Sequence, residues 1–459
     1  MKRISSFFAF AFIISLFVNV TLGQAPVQRD RQSNRGTVSE KDRTNGLPPE
    51  TLTAVDETTS AFETEAENAR GEGKQQSATI GVCDTAGPIE VESTGGTTTP
   101  TAYPTLKDAF DAINAGSHTG TINVEVCGNT TETASASLNA SGSGSASYTN
   151  VTVRPVGTGR IIEGTITGAI IKLTGADNVT IDGDPSGAGS ARELTVRNNS
   201  TAAATAAVWL TSTGVGAGAT NNTIKNLEIA AGATQNTTAN ATFGIILASN
   251  NTAISTTSNS DDCDNNSFIG NRIIRARYGI VTRGTTTNPS LGTVVTGNLI
   301  GPTSFGADQI GKVGIFMQAD NGATVSRNIV QFVGGEFGTT TAGADRVGIG
   351  IGSESWSSSA PGTLTSGNYT VTRNIVRNIV EQRTFSAAGI LASTTGGGSP
   401  TNNLIANNFI YNIVSNGTSG DQPVGIGVAG GFSDNIVFNS IAITGDMDGT
   451  GATAAATYG

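Results

Sequence analysis

The chain has 459 residues, of which 60 are glycine, 14% are charged and 5% are aromatic. So little charge and so few aromatic side chains exclude an ordinary helical enzyme. The formal net charge is -10 and the 26 Lys and Arg residues are dispersed. This argues against a nucleic-acid partner, because phosphate binding requires a clustered basic surface.

The N-terminal residues have the pattern of a secretory signal peptide. Lys2 and Arg3 are basic, and residues 7–20 form an apolar stretch shorter than a membrane-spanning helix requires. We predict a signal peptide at residues 1–23, a mature chain without a transmembrane segment, and a secreted, extracellular or cell-surface location. Residues 24–77 mix both charge signs with Pro, Thr and Ser and show almost no apolar periodicity, which predicts a disordered linker.

One amphipathic helix is predicted at residues 105–115. Four apolar residues recur at i, i+3, i+4 and i+7 from Leu106 to Ile113, and Thr105 can cap the start of the helix. A β-like run follows at once. We therefore expect the helix to lie as a cap across the N-terminal end of a β domain at residues 78–459.

Beyond the helix, a small residue followed by apolar β-formers recurs at a nearly fixed spacing. A repeat of this kind predicts a solenoid in which each phrase stacks on its copy in the next coil. The eight copies begin at Ala169, Ala207, Gly244, Gly279, Gly314, Gly348, Gly389 and Gly425.

A second phrase places an apolar β-former three residues before an Asn. An amide at the same corner of each coil can hydrogen-bond to its neighbours above and below, and Asn tolerates the left-handed backbone of a tight corner. We predict a buried structural ladder of such residues. Its members are Asn328, Asn374, Asn408 and Asn439.

On these phrases the chain resembles the right-handed parallel β-helix proteins of the pectate-lyase-like superfamily. The resemblance covers about residues 78–459 and rests on the helix phrase at 103–113, the phrase at 178–183 and the Asn phrases within 222–439. Within the superfamily the chain is most similar to long bacterial secreted and surface β-helix proteins. The resemblance implies an all-β, right-handed parallel β-helix (solenoid) with an N-terminal capping helix, and extracellular glycan-related work by analogy.

The enzymes of this superfamily leave motifs that can be sought. The Arg-x-Lys of the polygalacturonases is absent, the single histidine, His118, lies outside the repeats, and the aromatic-rich phrases of the pectin methylesterases are not found. The lyases are harder to exclude, since they need only a carboxylate-held Ca²⁺ and a Lys or Arg base.

Two acids are candidates for catalysis. Asp320 and Glu354 each lie six residues after the glycine of their phrase, in consecutive coils. Stacked in register they would be about 5 Å apart, a separation suited to a shared metal or a retaining glycosidase pair. The alternative is that the loops diverge after the strand and both acids are solvated.

Three residues are candidates for substrate binding. Arg327 and Arg373 precede the corner Asn in consecutive coils and could stack as a cationic ladder for acidic sugar or sulfate. The alternative is that each pairs with a nearby acid or points to water. Trp356 lies among serines as a possible exposed sugar-stacking platform, whereas Trp209 lies in an apolar run typical of a core.

Asp261, Asp262 and Asp264 form the densest acidic group and could hold Ca²⁺. They lack the spacing of a defined Ca²⁺ loop, so a solvated loop is the alternative. No other cofactor is predicted.

The cysteines predict one disulfide. Cys83 and Cys127 each end a β-like run, and export makes a bond between them permissible. Cys263 is then left unpaired in a polar, exposed stretch. With a single histidine, the sequence offers no His/Cys metal cluster.

Two functions follow as hypotheses. The first is a secreted or cell-surface β-helix protein that acts without catalysis, as an adhesin-like or glycan-contacting stalk. The alternative is a polysaccharide lyase or glycoside hydrolase acting on an acidic polysaccharide. Converging acids and a base would favour the enzyme, and dispersed ones would favour binding. Residues 449–459 show no recognisable cap, so the sequence leaves open whether the C-terminus is complete, and it gives neither the ligand nor the oligomeric state.

Overall fold

The structure is a computed structural model that describes residues 82–232, 241–248, 253–255, 261–335, 344–356, 366–382, 385–395, 399–415 and 421–443. These residues belong to one compact unit. The signal peptide and the linker predicted at 1–23 and 24–77 lie outside the described residues. Within the described ranges, no helix has the length and apolarity of a membrane span.

The described strands form coils with three faces, and each strand pairs with its counterpart in the next coil. Pairing along the first face is parallel from the third strand onward, and the two strands at its N-terminal end pair in antiparallel fashion. The strands of the first face are Ile89–Gly96, Thr101–Tyr103, His118–Val126, Tyr148–Pro155, Val179–Asp182, Thr223–Lys225, Ser267–Ile269, Val294–Thr296, Thr324–Ser326, Thr370–Thr372, Leu404–Ala406 and Asn435–Val437.

The second and third faces are parallel throughout the described coils. The second face consists of Thr130–Glu132, Arg160–Gly164, Leu194–Asn198, Leu227–Ala230, Arg272–Ile274, Leu299–Ile300, Ile329–Gly334, Ile375–Glu381, Phe409–Ser415 and Ser440–Ala442. The third face consists of Ala136–Asn139, Gly168–Thr174, Thr205–Thr211, Thr242–Leu247, Ala276–Arg283, Ile310–Gln318, Arg346–Ile351, Ala387–Ser393 and Pro423–Gly430. A short parallel pair, Ser290–Leu291 with Asp320–Asn321, completes the strands.

This strand order confirms the predicted all-β parallel β-helix. The chain passes from the first face through the second and third and returns to the first one coil further on. A return of this kind between parallel strands takes the right-handed crossover. The inner side of the coils is apolar because one residue of each phrase stacks on its copy. On the third face this column is Val208, Ile245, Ile280, Ile315, Ile349 and Ile390, all fully buried.

The glycine of the third-face phrase has a steric reason. An ideal Cβ on Gly314 would lie 2.7 Å from the carbonyl oxygen of Gly348, and one on Gly348 would lie 2.6 Å from that of Gly389. A β-carbon essentially never approaches a backbone oxygen so closely. The repeated glycine is therefore required by the close stacking of consecutive coils.

The capping helix spans Leu106–Asn114, close to its predicted bounds. Thr105 caps it by accepting a hydrogen bond from the N–H of Asp108 at 3.1 Å. The first N–H groups of the helix, on Leu106 and Lys107, donate to the carboxylate of Glu132 at 3.0 and 3.1 Å. Glu132 lies in the first strand of the second face, so these bonds anchor the cap to the first coil.

The predicted Asn ladder is present and longer than expected. Its members are Asn271, Asn298, Asn328, Asn374, Asn408 and Asn439, and in each rung the side-chain oxygen accepts from the backbone N–H and the Nδ2 of the Asn one coil earlier. Their Nδ2 groups also donate to a backbone carbonyl at 2.8–2.9 Å. All but Asn439, in the last described coil, are buried.

The N-terminal end is tied down by the predicted disulfide. Cys83 and Cys127 are bonded, with their Cα atoms 6.0 Å apart. Cys263 forms no disulfide, as expected, but it is fully buried in the core. The expectation of an exposed thiol was wrong because its neighbouring acids face outward while the cysteine faces the interior.

Candidate functional site

The middle strands of the third face are buried on both sides. Its strands Thr205–Thr211 and Thr242–Leu247 are buried at every residue. Outward positions stack in register as the inward ones do, so that Trp209 aligns with Ile246 and Phe243 aligns with Tyr278. These outward residues form a second apolar cluster, here called the outer cluster, separate from the core inside the coils. Sequence analysis missed this cluster, although apolar residues on both sides of the third-face strands are the signal of two-sided burial.

Trp209 is buried as expected, but in the outer cluster. Its Nε1 donates to the carbonyl of Ala248 at 2.7 Å. The Nζ of Lys172 lies 4.2 Å from the centre of the Trp209 ring, a cation–π contact. Burial lowers the pKa of Lys172.

A group of polar residues adjoins the outer cluster. Lys312 Nζ donates to the Tyr278 hydroxyl at 3.3 Å and forms an ion pair with Glu354 Oε1 at 2.9 Å. The Tyr278 ring stacks on Phe243, with ring centres 5.2 Å apart. Exposure rises from 4% for Tyr278 to 12% and 29% for the side chains of Lys312 and Glu354. Of these three polar side chains, Lys312 and Glu354 reach solvent, whereas Tyr278 is buried.

The electrostatics of this group keep its phenol protonated. Burial, reinforced by the nearby Glu354 carboxylate, raises the pKa of Tyr278 far above its usual value. Burial also lowers the pKa of Arg283, while the Glu354 carboxylate acts in the opposite direction. Glu354 therefore interacts with Lys312, Tyr278 and Arg283, two cations and one phenol.

The segment Gly352–Trp356 carries Glu354 across the outer side of the third face. The side chain of Gln318, which lies in the preceding coil, donates to the carbonyl of Gly352 at 2.9 Å. The Trp356 ring lies over Gly427, where an ideal Cβ would be 2.6 Å from Cζ3. The ring is partly buried against the outer cluster. The expected exposed platform is therefore a half-covered one, because the absence of a side chain at Gly427 lets the ring approach the sheet closely.

Asp320 and Glu354 do not form a pair. Asp320 is fully buried, and its two carboxylate oxygens accept from the hydroxyls of Thr282 at 2.8 Å and Thr293 at 3.0 Å. Burial raises the pKa of Asp320 to about 7. The two acids have no partner in common among these contacts, so the predicted shared site is wrong. A left-handed residue precedes each acid, Ala319 with φ +53° and Gly352 with φ +83°. Directly after Ala319 the chain enters a strand beside Ser290–Leu291, whereas the loop after Gly352 brings Glu354 to a partly exposed position.

Asp320 replaces amides in a second ladder. Two neighbouring coils have an asparagine directly before the first-face strand, Asn222 in one and Asn266 in the next. The backbone N–H and the Nδ2 of Asn222 both donate to Asn266 Oδ1 at 3.1 Å. Two of the following coils have Thr293 and Tyr369 at this position. There the Thr293 hydroxyl donates to Asp320, and the N–H of Asp320 donates to the Tyr369 hydroxyl at 3.3 Å. The role of Asp320 in the described structure is to satisfy the hydrogen bonds of these buried polar groups.

Arg327 and Arg373 lie at the same corner of consecutive coils, as predicted. Both have left-handed backbone, with φ of 55° and 58°, and the N–H of Arg327 donates to Thr372 O at 3.2 Å. Arg373 is exposed and Arg327 is partly buried. The corner itself is shared with Gly297 and Asn407, so its backbone geometry has no special relation to arginine. Binding of an acidic sugar there stays a prediction.

The acidic loop is not assembled for a metal. Asp262 accepts from the N–H of Gly216 at 2.5 Å and Asp264 from the N–H of Leu291 at 2.8 Å. Asp261 accepts from the Asn288 side chain at 3.4 Å. Within the described ranges these three carboxylates do not come together as a metal-sized group. Each acid bonds a different part of the neighbouring structure, so the described residues give the predicted Ca²⁺ site no support.

Comparisons with known proteins give only distant matches. The sequence matches no protein-family model and no curated protein. The Dettilon tailspike protein is 16% identical with a TM-score of 0.39, and the match covers 80% of this chain and 66% of the tailspike chain. The A-module of the mannuronan C-5 epimerase AlgE4 of Azotobacter vinelandii is 12% identical with a TM-score of 0.32, covering 74% and 95% of the two chains.

A third match is DFA-IIIase from Arthrobacter chlorophenolicus in complex with GF2. It is 11% identical with a TM-score of 0.28, and the match covers 74% of this chain and 86% of the enzyme chain. Matches this distant carry no functional argument. The strand pairing of the chain itself makes it a parallel β-helix protein.

Proposed function

We propose that the protein is a secreted or cell-surface β-helix protein that contacts glycans without cleaving them, as an adhesin-like stalk. The observation that carries this proposal is that the expected catalytic acids do not converge. Asp320 is sealed inside the coil, and Glu354 is ion-paired with Lys312 on the outside. Glycoside hydrolysis in most families requires two carboxyl groups that face each other across one bond.

The surface proposed to contact the glycan is the outer patch, defined as Lys312, Glu354 and Trp356. It combines a half-covered aromatic ring with an ammonium and a carboxylate that are fixed by each other. Sugar sites typically join an apolar or aromatic surface to a few precisely placed polar groups. Lys312 lies in the strand Ile310–Gln318, and a site carried by a strand holds its geometry better than one on a loop.

An extracellular location is part of the proposal. The N-terminal pattern is that of a signal peptide, and the Cys83–Cys127 disulfide fits an oxidising compartment.

A second candidate is a lyase acting on an acidic polysaccharide at Lys312 and Tyr278. It is favoured by the 3.3 Å contact between the lysine and the phenol, a geometry in which one group could remove a proton and the other return it. Two observations weigh against it. The raised pKa of Tyr278 keeps the phenol protonated, and the Lys312 ammonium already forms an ion pair with Glu354.

A polysaccharide screen tests the proposal. Neutral and acidic polysaccharides are cast into native gels to measure retardation of the protein. The same mixtures are analysed for unsaturated products and new reducing ends, with and without Ca²⁺. We expect retardation by at least one glycan and no product. Product that disappears in Lys312→Gln would establish the lyase instead, and the absence of retardation by every glycan would contradict the proposal.

A further inference from the structure

Three carboxylates meet at the N-terminal end of the first face, far in sequence from the acidic loop. They belong to Asp84, Glu90 and Glu92, and one oxygen of each lies within 4.8 Å of the others. Glu90 and Glu92 are two residues apart in the strand Ile89–Gly96, so both side chains leave the same side of the sheet. Asp84 is adjacent to Cys83, whose disulfide to Cys127 fixes this segment beside the strand.

Glu90 gives a second, independent sign of a ligand. It is fully buried, yet its carboxylate is only half satisfied. Oε2 accepts from the N–H and the hydroxyl of Thr85 at 2.5 and 2.6 Å, whereas the buried Oε1 accepts no hydrogen bond from the part of the chain that the structure describes. A buried carboxylate oxygen without a partner is costly, and native structures supply a donor or a cation to such groups.

The described residues around the three acids supply no cationic side chain to pair with them. Among the described residues, no Lys or Arg forms an ion pair with Asp84, Glu90 or Glu92. The residue paired with Glu90 on the next strand is Glu125, another acid. The site therefore concentrates negative charge around one unsatisfied buried oxygen.

We propose that Asp84, Glu90 and Glu92 bind a calcium ion. The donors are all carboxylate oxygens, which are hard ligands suited to Ca²⁺ or Mg²⁺. Ca²⁺ is favoured because it accepts irregular geometry and several carboxylates, whereas Mg²⁺ demands a near-ideal octahedron and keeps most of its water. The ion joins the segment that contains Asp84 to the strand Ile89–Gly96, which lies between Thr101–Tyr103 and His118–Val126 at the N-terminal end of the first face. This inference is independent of the glycan proposal.

The test uses the full oxidised chain and equilibrium dialysis with radioactive calcium. Glu90→Gln and Glu92→Gln each remove one charged ligand and keep the size of the side chain. Asp261→Asn is the matched control, because it removes a carboxylate from the acidic loop that was first expected to bind Ca²⁺. Circular dichroism of each variant verifies that the β fold is retained, and the partly exposed Glu92 serves if Glu90→Gln fails to fold.

We expect Ca²⁺ to bind the wild type and Asp261→Asn with the same affinity, and each glutamine variant about tenfold or more weakly, since affinity follows the number of charged ligands. Ca²⁺ should also raise the thermal midpoint of the wild type more than Mg²⁺ does, and this rise should be lost in Glu92→Gln. Absence of Ca²⁺ binding to the wild type, or equal affinity in the wild type and Glu92→Gln, would overturn the proposal. Loss of Ca²⁺ binding in Asp261→Asn, with binding kept in both glutamine variants, would also overturn the proposal.

Discussion

Removal of one rung of the Asn ladder should weaken the coils that it joins. Asn374 Nδ2 donates to Val325 O at 2.9 Å and to Asn408 Oδ1 at 3.0 Å. Its Oδ1 accepts from both the backbone N–H and the Nδ2 of Asn328 at 3.0 Å. In Asn374→Ala the buried N–H of Asn328 loses its acceptor and Val325 loses a donor. An orphaned buried group costs about 1–3 kcal/mol and a lost hydrogen bond about 1 kcal/mol, so we expect a loss of roughly 2–4 kcal/mol.

Hydrogen exchange measures this loss where it occurs, since stability in a solenoid is largely local. Amides of the strands Thr324–Ser326 and Thr370–Thr372 should exchange roughly 30-fold faster or more in Asn374→Ala, as 1.4 kcal/mol corresponds to a factor of ten. Asn199→Ala is the control, because Asn199 is exposed and its side chain donates to the partly exposed Glu163 at 3.2 Å, while its backbone bond to Gly164 is kept in the variant. Asn368 is unsuitable as a control because its φ of +57° itself favours Asn. Equal protection loss in Asn374→Ala and Asn199→Ala would refute the ladder's role.

Two further predictions concern the interior. Asp320→Asn should remove a pH dependence of stability. The pKa of Asp320 rises from 3.8 to about 7 on folding, so the folded state holds the proton more tightly, and this stabilisation is full below about pH 4 and is lost as the pH rises through about 7. Urea unfolding of the wild type and variant across this range measures it, and parallel curves would contradict the assignment. Gly314→Ala should destabilise by about 1–3 kcal/mol through overpacking, whereas Gly306→Ala, whose Cβ would meet nothing within 4 Å, should be neutral in thermal unfolding.

The architecture was predictable because local sequence patterns that repeat once per coil determine it. The apolar phrase and the corner Asn recur once per coil, so their spacing predicts which residues stack. The helix at Leu106–Asn114 follows from its apolar spacing and the Thr105 cap. The disulfide was predictable because Cys83 and Cys127 end neighbouring β-like runs.

The site was not predictable in the same way. Asp320 and Glu354 have equal spacing from their glycines, but the left-handed residue that precedes them is Ala319 in one coil and Gly352 in the next. The chain enters a short strand beside Ser290–Leu291 directly after Ala319, whereas Glu354 lies in the loop that follows Gly352. Equal spacing along the sequence therefore predicts which residues stack within the strands, but not in the loops that follow them. Lys312 and Tyr278 lie on the outward side of their strands, whereas the repeated phrase predicts only which residues face inward. Closer attention to the apolar residues flanking each glycine would have indicated a sheet buried on both sides.

The central claim, glycan contact at the outer patch without turnover, is tested most directly by the affinity of Trp356→Ala for the glycan that retards the wild type. We expect about tenfold weaker binding, typical of truncating an aromatic anchor. Lys107→Gln, on the exposed side of the capping helix, is the control and should bind like the wild type. Unchanged affinity in Trp356→Ala with a folded protein would contradict the claim.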